Sequence, residues 1–265
     1  MSLRNAVAHR NLLYLLTLKE LRTRYRRSVL GWAWTLLNPV IQMLVFSFVF
    51  LVAFRQDPPI GNPSGLQSFP LYFLCGLLPF QFFSISVTAS LASVSSNSSL
   101  ITKVAFPHEH LALSVVGAQL VTFLIELGVL AVALLVAGQM VLPWLVPMIP
   151  LIALLTLFTI GVALAMSAAN VFFHDVTHLW GILAQVLFYA TPIIWVPETI
   201  DVRILDTLSD WHPTGSFIRA SQQMLYGGHF PSIWRWMHLT GVAVITFSLG
   251  AWIFGRLSPR FAEEL

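Results

Sequence analysis

Long uncharged apolar runs restrict this chain more than any other feature. Between Arg27 and Arg55 no residue carries a charge. Counting onward gives six such runs, near 31–54, 69–93, 111–137, 144–170, 177–196 and 233–255. Each reaches the roughly 20 residues a helix needs to cross a bilayer. Only 9% of the residues are charged, against about 25% in an ordinary soluble domain, and 57% are hydrophobic. Inside lipid every backbone N–H and C=O must be paired within the protein, so such runs become α-helices. The expected fold class is an all-α polytopic membrane protein, 1–265 forming a single domain with six transmembrane helices.

The basic residues orient it. Seven Lys and Arg precede the first run, which places the N-terminus in the cytoplasm. Six crossings return the C-terminus to that side. On this topology ten of the 14 Lys and Arg are cytoplasmic, and Arg55, Arg203, Arg219 and Arg235 lie outside with five acids. The net charge of +3 thus follows from topology, and no nucleic-acid partner is implied. Cys75 is the sole cysteine, which excludes an intrachain disulfide and a cysteine-based metal cluster. The first run is longer than a signal-peptide core and no small-residue cleavage site follows it, so no cleavable leader is expected.

Leu18 to Val40, LKELRTRYRRSVLGWAWTLLNPV, joins a basic segment to the first run. Tyr14, Leu18, Leu21, Tyr25 and Val29 recur every three or four residues and offer one apolar helix face. Trp32 and Trp34 fall where an aromatic belt would meet the headgroups. A helix lying on the membrane surface over 1–30 and then turning inward fits both.

With its Gly31-Trp32, Trp34 and Asn38-Pro39, this stretch resembles the opening of the membrane permease of ABC-2 type polysaccharide exporters, the O-antigen, teichoic-acid and related lipid-linked glycan systems. LITKVAFPHEHLALS, from Leu100, is similar to the family's coupling region, where a short helix docks on an ATPase subunit. There Lys103, Phe106 and Pro107 keep register, whereas His108 and His110 depart from the pattern. His174-Asp175-Val176 resembles the family's acidic cytoplasmic turn, with His in place of a basic residue. Pro197 to His229 resembles its paired outer gate helices, with His212-Pro213 where an Asn-Pro usually opens the second.

The resemblance implies an ATP-driven export permease in the bacterial inner membrane, both termini cytoplasmic. It would act as a homodimer with two copies of a nucleotide-binding ATPase and carry a polyprenyl-pyrophosphate-linked polysaccharide. Ser99, Leu100, Lys103, Phe106 and Pro107, with Arg22 and Arg26 on the N-terminal helix, would couple to the ATPase across 98–107. Phe46, Phe50, Phe54, Phe188, Tyr189 and Trp195 would contact glycan in a channel. Trp211, Pro213, Phe217 and Met224 would belong to the outer gate over 197–228. No cofactor is expected in this chain, since ATP and Mg would be bound by the partner.

The residues themselves leave alternatives beside this. Phe46, Phe50 and Phe54 share a face that serves either sugar stacking or ordinary packing. Glu126, the only acid well inside an apolar run, is either a substrate-path group or a hydrogen-bonded helix contact. Gly161, Ala165 and Ala169 form a small-residue face for close helix approach. Thr191-Pro192 is expected to bend the fifth span and free backbone carbonyls. His108-Glu109-His110 lacks a metal-site geometry on a helix, and His174 with His178 lacks a third ligand and the glutamate of a zinc-hydrolase motif. A P-loop requires Gly before Lys, yet Lys19 follows Leu18 and Lys103 follows Thr102. Hydrolysis must then come from another chain. Alternatives are an ABC-2 permease for a drug or small lipid, and a membrane enzyme acting on a polyprenyl-phosphate carrier. The enzyme needs clustered acids or histidines at one face, and Asp201, Asp206 and Asp210 lack metal-ligand spacing.

Overall fold

The computed structural model describes residues 10–25, 31, 33–53, 59–98, 106–196 and 211–264. Trp32, Arg26, Phe54, Ser99, Leu100, Lys103 and the first part of the expected outer gate lie outside the described residues. Among the described residues there is no strand, only an isolated bridge between Ile60 and Gln67. Helix α1 is Arg10–Tyr25, α2 Ala33–Ser47 continuing as a π turn Phe48–Ala53, and α3 Phe69–Leu91. Then come α4 Glu109–Val136, α5 Leu142–Phe172 and α6 Val176–Ala190. Helix α7 is Pro213–Gln222 with a π turn Gln223–Gly227, followed by α8 Ile233–Leu257 and the short α9 Phe261–Glu264.

Five helices are long and apolar enough to cross a bilayer: α2 with its π turn, α3, α4, α5 and α8. The remaining apolar run differs from expectation. It forms α6, only 15 residues, or roughly 22 Å at 1.5 Å per residue, short of the ~30 Å hydrocarbon core. Pro192 is the cause. A residue before proline is driven out of the helical region, and Thr191 stands at φ −94°, ψ 141°. The Thr191-Pro192 pair therefore ends the helix, where the sequence led us to expect a bend.

Helix α3 is the hub. It is the most fully enclosed of the five, and Phe69, Phe73, Cys75 and Val87 on it are completely buried. Aromatic stacking ties it to its neighbours. The Phe82 and Phe123 rings lie 5.1 Å apart, Phe83 and Phe158 5.2 Å, and Phe158 reaches Phe217 at 5.5 Å. These offset contacts add about 0.5–1.5 kcal/mol each beyond the area they bury.

Helices α5 and α8 meet most extensively, through glycine. A Cβ added at Gly250 would stand 1.9 Å from the Gly161 carbonyl oxygen, and one at Gly161 would stand 2.5 Å from the Thr246 oxygen. The buried stripe of α5 runs Gly161, Leu164, Ala168 and Val171, while Ala165 and Ala169 are only half-buried. It advances by three and four residues, as a 3.6-residue helix requires, and so departs from the strict fourth-residue face.

Helix α1 packs against α4, bringing Thr17 beside Gly117. Its covered side includes Leu21 and Leu16, whereas Tyr14 is 64% exposed. Of the expected stripe, Leu21 is buried and Leu18 half-buried while Tyr14 faces outward, so part of that face packs against protein.

Candidate functional site

One end of the bundle brings together the end of α3, the end of α5 and the start of α6. The Asn170 carboxamide nitrogen donates to the Leu91 carbonyl at 3.0 Å, and its oxygen accepts from Thr177 Oγ1 at 2.8 Å. One side chain thereby joins the ends of α3 and α5 to the start of α6. Trp180, buried, donates its indole N–H to Thr88 Oγ1 at 2.8 Å. Lys19 Nζ of α1 donates to Asn97 Oδ1 at 3.0 Å, beside the 3₁₀ turn Ser95–Asn97. The N-terminal helix and the segment after α3, read separately as coupling elements, are in contact.

Phe106 emerges half-buried in a second apolar cluster with Val94, Leu111, Phe172 and Phe254. Its ring meets His108 edge-on at 5.5 Å, and His108 lies 6.2 Å from Phe261, which is fully buried. Burial lowers the His108 pKa from its ordinary value, against the opposing pull of the Glu109 carboxylate. Pro107 precedes α4, and its carbonyl faces His110 Nδ1 at 3.1 Å. Arg22 is exposed on α1. His174, Asp175 and His178 are exposed, and no group of three metal-type ligands occurs among the described residues.

The opposite end is built around α7. His212 before Pro213 is extended, at ψ 126°, as a pre-proline residue must be, and Pro213 supplies a ready-made first helical turn. His212 Nδ1 lies 2.8 Å from Thr214 Oγ1, and burial lowers the His212 pKa. The helix widens into its π turn and ends at Gly228, φ +71°, a left-handed cap that glycine adopts without strain. Phe217 and Met224 are buried beneath it, Pro213 is half-buried and Trp211 is 74% exposed.

Tyr226 locks this end to the 59–68 loop. Its hydroxyl accepts the Ser68 N–H at 3.0 Å and lies against the Pro59 and Leu66 carbonyls, while Ser64 Oγ donates to the Tyr226 carbonyl at 2.6 Å. Burial raises the Tyr226 pKa, opposed by the Ser68 N–H bond. Gly61 permits the approach, since a Cβ there would lie 3.0 Å from the Tyr226 carbonyl oxygen.

The aromatic residues divide. Phe50 is buried against Phe69 at 4.1 Å, and Phe46 packs on Phe73 at 4.0 Å. Phe188 meets Phe80 at 5.4 Å. Tyr189 is 61% exposed, and its carbonyl accepts from the half-buried Trp195 indole N–H at 3.2 Å. Outward from these, α2 and α6 present uncovered apolar faces, Leu44 and Phe48 on one, Ile182 and Val186 on the other. Such faces, with the two ends just described, suit a membrane-embedded assembly rather than a reaction centre.

Residues 11–226 match the ABC-2 type transporter family. The chain belongs to that family. An O-antigen export system permease protein, RfbA of Myxococcus xanthus, is 33% identical over 264 residues, covering 99% of this chain and 98% of its own. A Klebsiella pneumoniae RfbA of the same description is 31% identical over 261 residues, 96% and 95% covered. The polysialic acid transport protein KpsM of Escherichia coli is 24% identical over 249 residues, 89% of each. The ABC-2 chain is therefore a membrane-embedded transporter subunit and not an enzyme.

Sequence reasoning passed over three anchors of this ABC-2 fold. Asn170 sat at the edge of an apolar run with nothing to mark its partners, Leu91 and Thr177. Tyr226 preceded Gly227-Gly228 and was absorbed into the helix end. Phe261 lay in the short closing segment after α8, outside every apolar run. A polar residue at the end of a long apolar run was the available signal for Asn170, because such groups seek partners across helices.

Proposed function

We propose that this chain is the permease half of an ATP-driven exporter that moves a lipid-linked polysaccharide outward across the bacterial inner membrane. The observation that carries the reading is end-to-end similarity, 33% over 99% of the chain, to an O-antigen export permease. The absence of a Gly-Lys P-loop pair in the sequence assigns ATP and Mg to a separate ATPase subunit. Two permease copies and two ATPase copies form the working unit, closed two-fold symmetry being the commonest arrangement of such assemblies. The termini are cytoplasmic, and α6 with the residues after it completes a sixth crossing.

In this reading ATP binding and hydrolysis push on 98–107 through Ser99, Leu100, Lys103, Phe106 and Pro107, and on α1 through Arg22 and Arg26. The Lys19–Asn97 bond and the Phe106–His108–Phe261 stack give that push a route into α4, α5 and α8. Tyr189 and Trp195, joined through the Tyr189 carbonyl, offer aromatic surface to glycan. Phe188 packs on Tyr189 at 5.4 Å, and Phe46, Phe50 and Phe54 are further candidates for glycan contact. Trp211, Pro213, Phe217 and Met224 belong to the gate that closes the outer mouth.

The test is co-purification in lipid with a co-expressed nucleotide-binding ATPase subunit, comparing wild type with Phe106→Ala and Lys103→Ala. We expect the ATPase to co-purify and the substitutions to lower glycan-dependent hydrolysis or release the partner. Failure of any ATPase to associate, together with normal surface glycan in a strain lacking this chain, sinks the export reading.

A further inference from the structure

A recess of about 550 Å³ opens between the 59–63 loop, Tyr72 of α3, Val196, and the end of α7 with its π turn. That size lies within the roughly 300–1,000 Å³ of small-ligand sites. Its floor is fixed. Gln222, 6% exposed, donates its amide to the Pro192 carbonyl at 2.9 Å. Gly76 beneath it has no Cβ to spare, since one there would stand 2.7 Å from Gln222 Nε2. The loop wall is fixed by the Tyr226 and Ser64 bonds described above and by Ser64 N–H donating to the Gly227 carbonyl at 3.0 Å. On the opposite rim His229 Nδ1 faces the Asn62 carbonyl at 3.0 Å. A carbonyl only accepts, so Nδ1 carries the proton, and in the neutral ring Nε2 is an acceptor.

The lining selects the ligand class. Gln222, Gln223 and His229 are side chains that offer donors and acceptors together, which a hydroxyl, itself both, can satisfy in either sense. Gln223 is oriented by Arg235, whose Nη1 donates to its Oε1 at 2.9 Å. The Tyr72 and Tyr226 rings, nearly perpendicular and edge to face at 5.4 Å, add apolar ring edges to the lining beside the polar groups. Arg219 contributes one cation, and no carboxylate is among the described lining residues, so those residues offer a divalent cation few ligands. An acyl chain would desolvate carboxamides without compensation. A sugar ring has a C–H face for the tyrosines and hydroxyls for the carboxamides.

We propose that this recess is a saccharide-binding subsite that holds a short segment of the exported glycan as it leaves the outer mouth. It rests on the polysaccharide-export reading and names a place for the cargo in that path. The floor and the loop wall are already in place, so little ordering cost accompanies binding. Affinity per ring is low, as a chain in transit requires, because hydroxyls exchange one set of hydrogen bonds with water for another.

The experiment places a photoreactive benzoylphenylalanine at Ile60, a rim residue 70% exposed, in cells carrying the full transporter. Val146 on α5, 69% exposed and outside the recess, is the reference position. Illumination is expected to give a carbohydrate-bearing adduct at Ile60 at least about tenfold above Val146, a difference of ~1.4 kcal/mol in occupancy. It should vanish when the ATPase partner cannot hydrolyse ATP. Gln222→Ala and, as a milder rim change that leaves the core alone, His229→Ala should each lower the adduct roughly fivefold. Lipid adducts alone at Ile60, or unchanged yield in both variants, overturn the subsite. Normal surface glycan in a strain lacking the chain overturns the export reading beneath it. Glycan lost in that strain with no adduct at Ile60 overturns the subsite alone.

Discussion

Gly250→Ala should pry α5 and α8 apart. The new Cβ would stand 1.9 Å from the Gly161 oxygen and 2.7 Å from its carbonyl carbon, both backbone atoms. Ordinary contact begins at 3.4 Å, so the helices must separate by about 1.5 Å along that line. No side-chain rotation relieves a clash with backbone. Overpacking a tight site costs about 1–3 kcal/mol, and the upper part of that range applies here. Alanine returns up to ~1 kcal/mol of helix propensity, leaving a net loss of about 2 kcal/mol. At roughly 2–4 °C per kcal/mol for a chain of this size, the melting temperature should fall by ~4–8 °C. Thermal unfolding in detergent, read by size-exclusion of the remaining monodisperse protein, measures this. The control sits on the same helix. Gly241 has nothing within 4 Å of its would-be Cβ, so Gly241→Ala should be neutral or slightly stabilising. If the two substitutions melt alike, the glycine contact does not hold α5 against α8 and the reasoning is wrong.

Asn170→Ala removes the bonds to Leu91 and Thr177 and strands the Leu91 carbonyl, at a cost of about 2 kcal/mol. Asn170→Asp should do no better in the same melt, because an acceptor-only carboxylate cannot donate to that carbonyl. Tyr226→Phe keeps the ring on Tyr72 but leaves the Ser68 N–H and the loop carbonyls without their hydroxyl. A loss of about 1–2 kcal/mol is expected, with reduced surface glycan by immunoblot at normal chain abundance. His108 supplies a pH dependence. Its folded pKa lies below the ordinary 6.5, so the folded state favours the neutral ring. That contribution is complete above about 6.5 and is lost as the pH falls through the lowered value. Melts at pH 7.5 and 5.5 should show a smaller acid loss in His108→Phe than in wild type, and equal losses would remove His108 from the account.

Much of the fold was written in the order of residues. The runs beginning near 69, 111, 144 and 233 became α3, α4, α5 and α8 because a long uncharged apolar stretch has no other way to satisfy its backbone in lipid. The opening of α7 was legible too, since His212-Pro213 acts on the backbone locally. The 15-residue length of α6 was less so. Pro192 was noticed but read as a bend, and what decides between a bend and a stop is whether neighbouring groups hold the chain beyond it. Here Gln222 takes the Pro192 carbonyl, a contact made by a residue far along the chain.

The candidate site was legible in its parts and not in its assembly. Phe46 and Phe50 were marked by periodicity, yet only the packed structure puts Phe50 inside, against Phe69 and Phe73. The coupling elements were marked by charge and position, yet Lys19 meeting Asn97 depends on α1 lying along α4. Sequence by itself determined that the chain is helical and crosses a membrane many times, because hydropathy acts on each segment alone. Tertiary structure decided which faces meet, putting Gly161 on Gly250, Tyr226 on the 59–68 loop and Asn170 across three helix ends. The physical reason is that lipid tails are as apolar as leucine. Hydropathy then cannot tell a lipid-facing surface from a buried one, and shape and hydrogen bonds between distant residues make the choice.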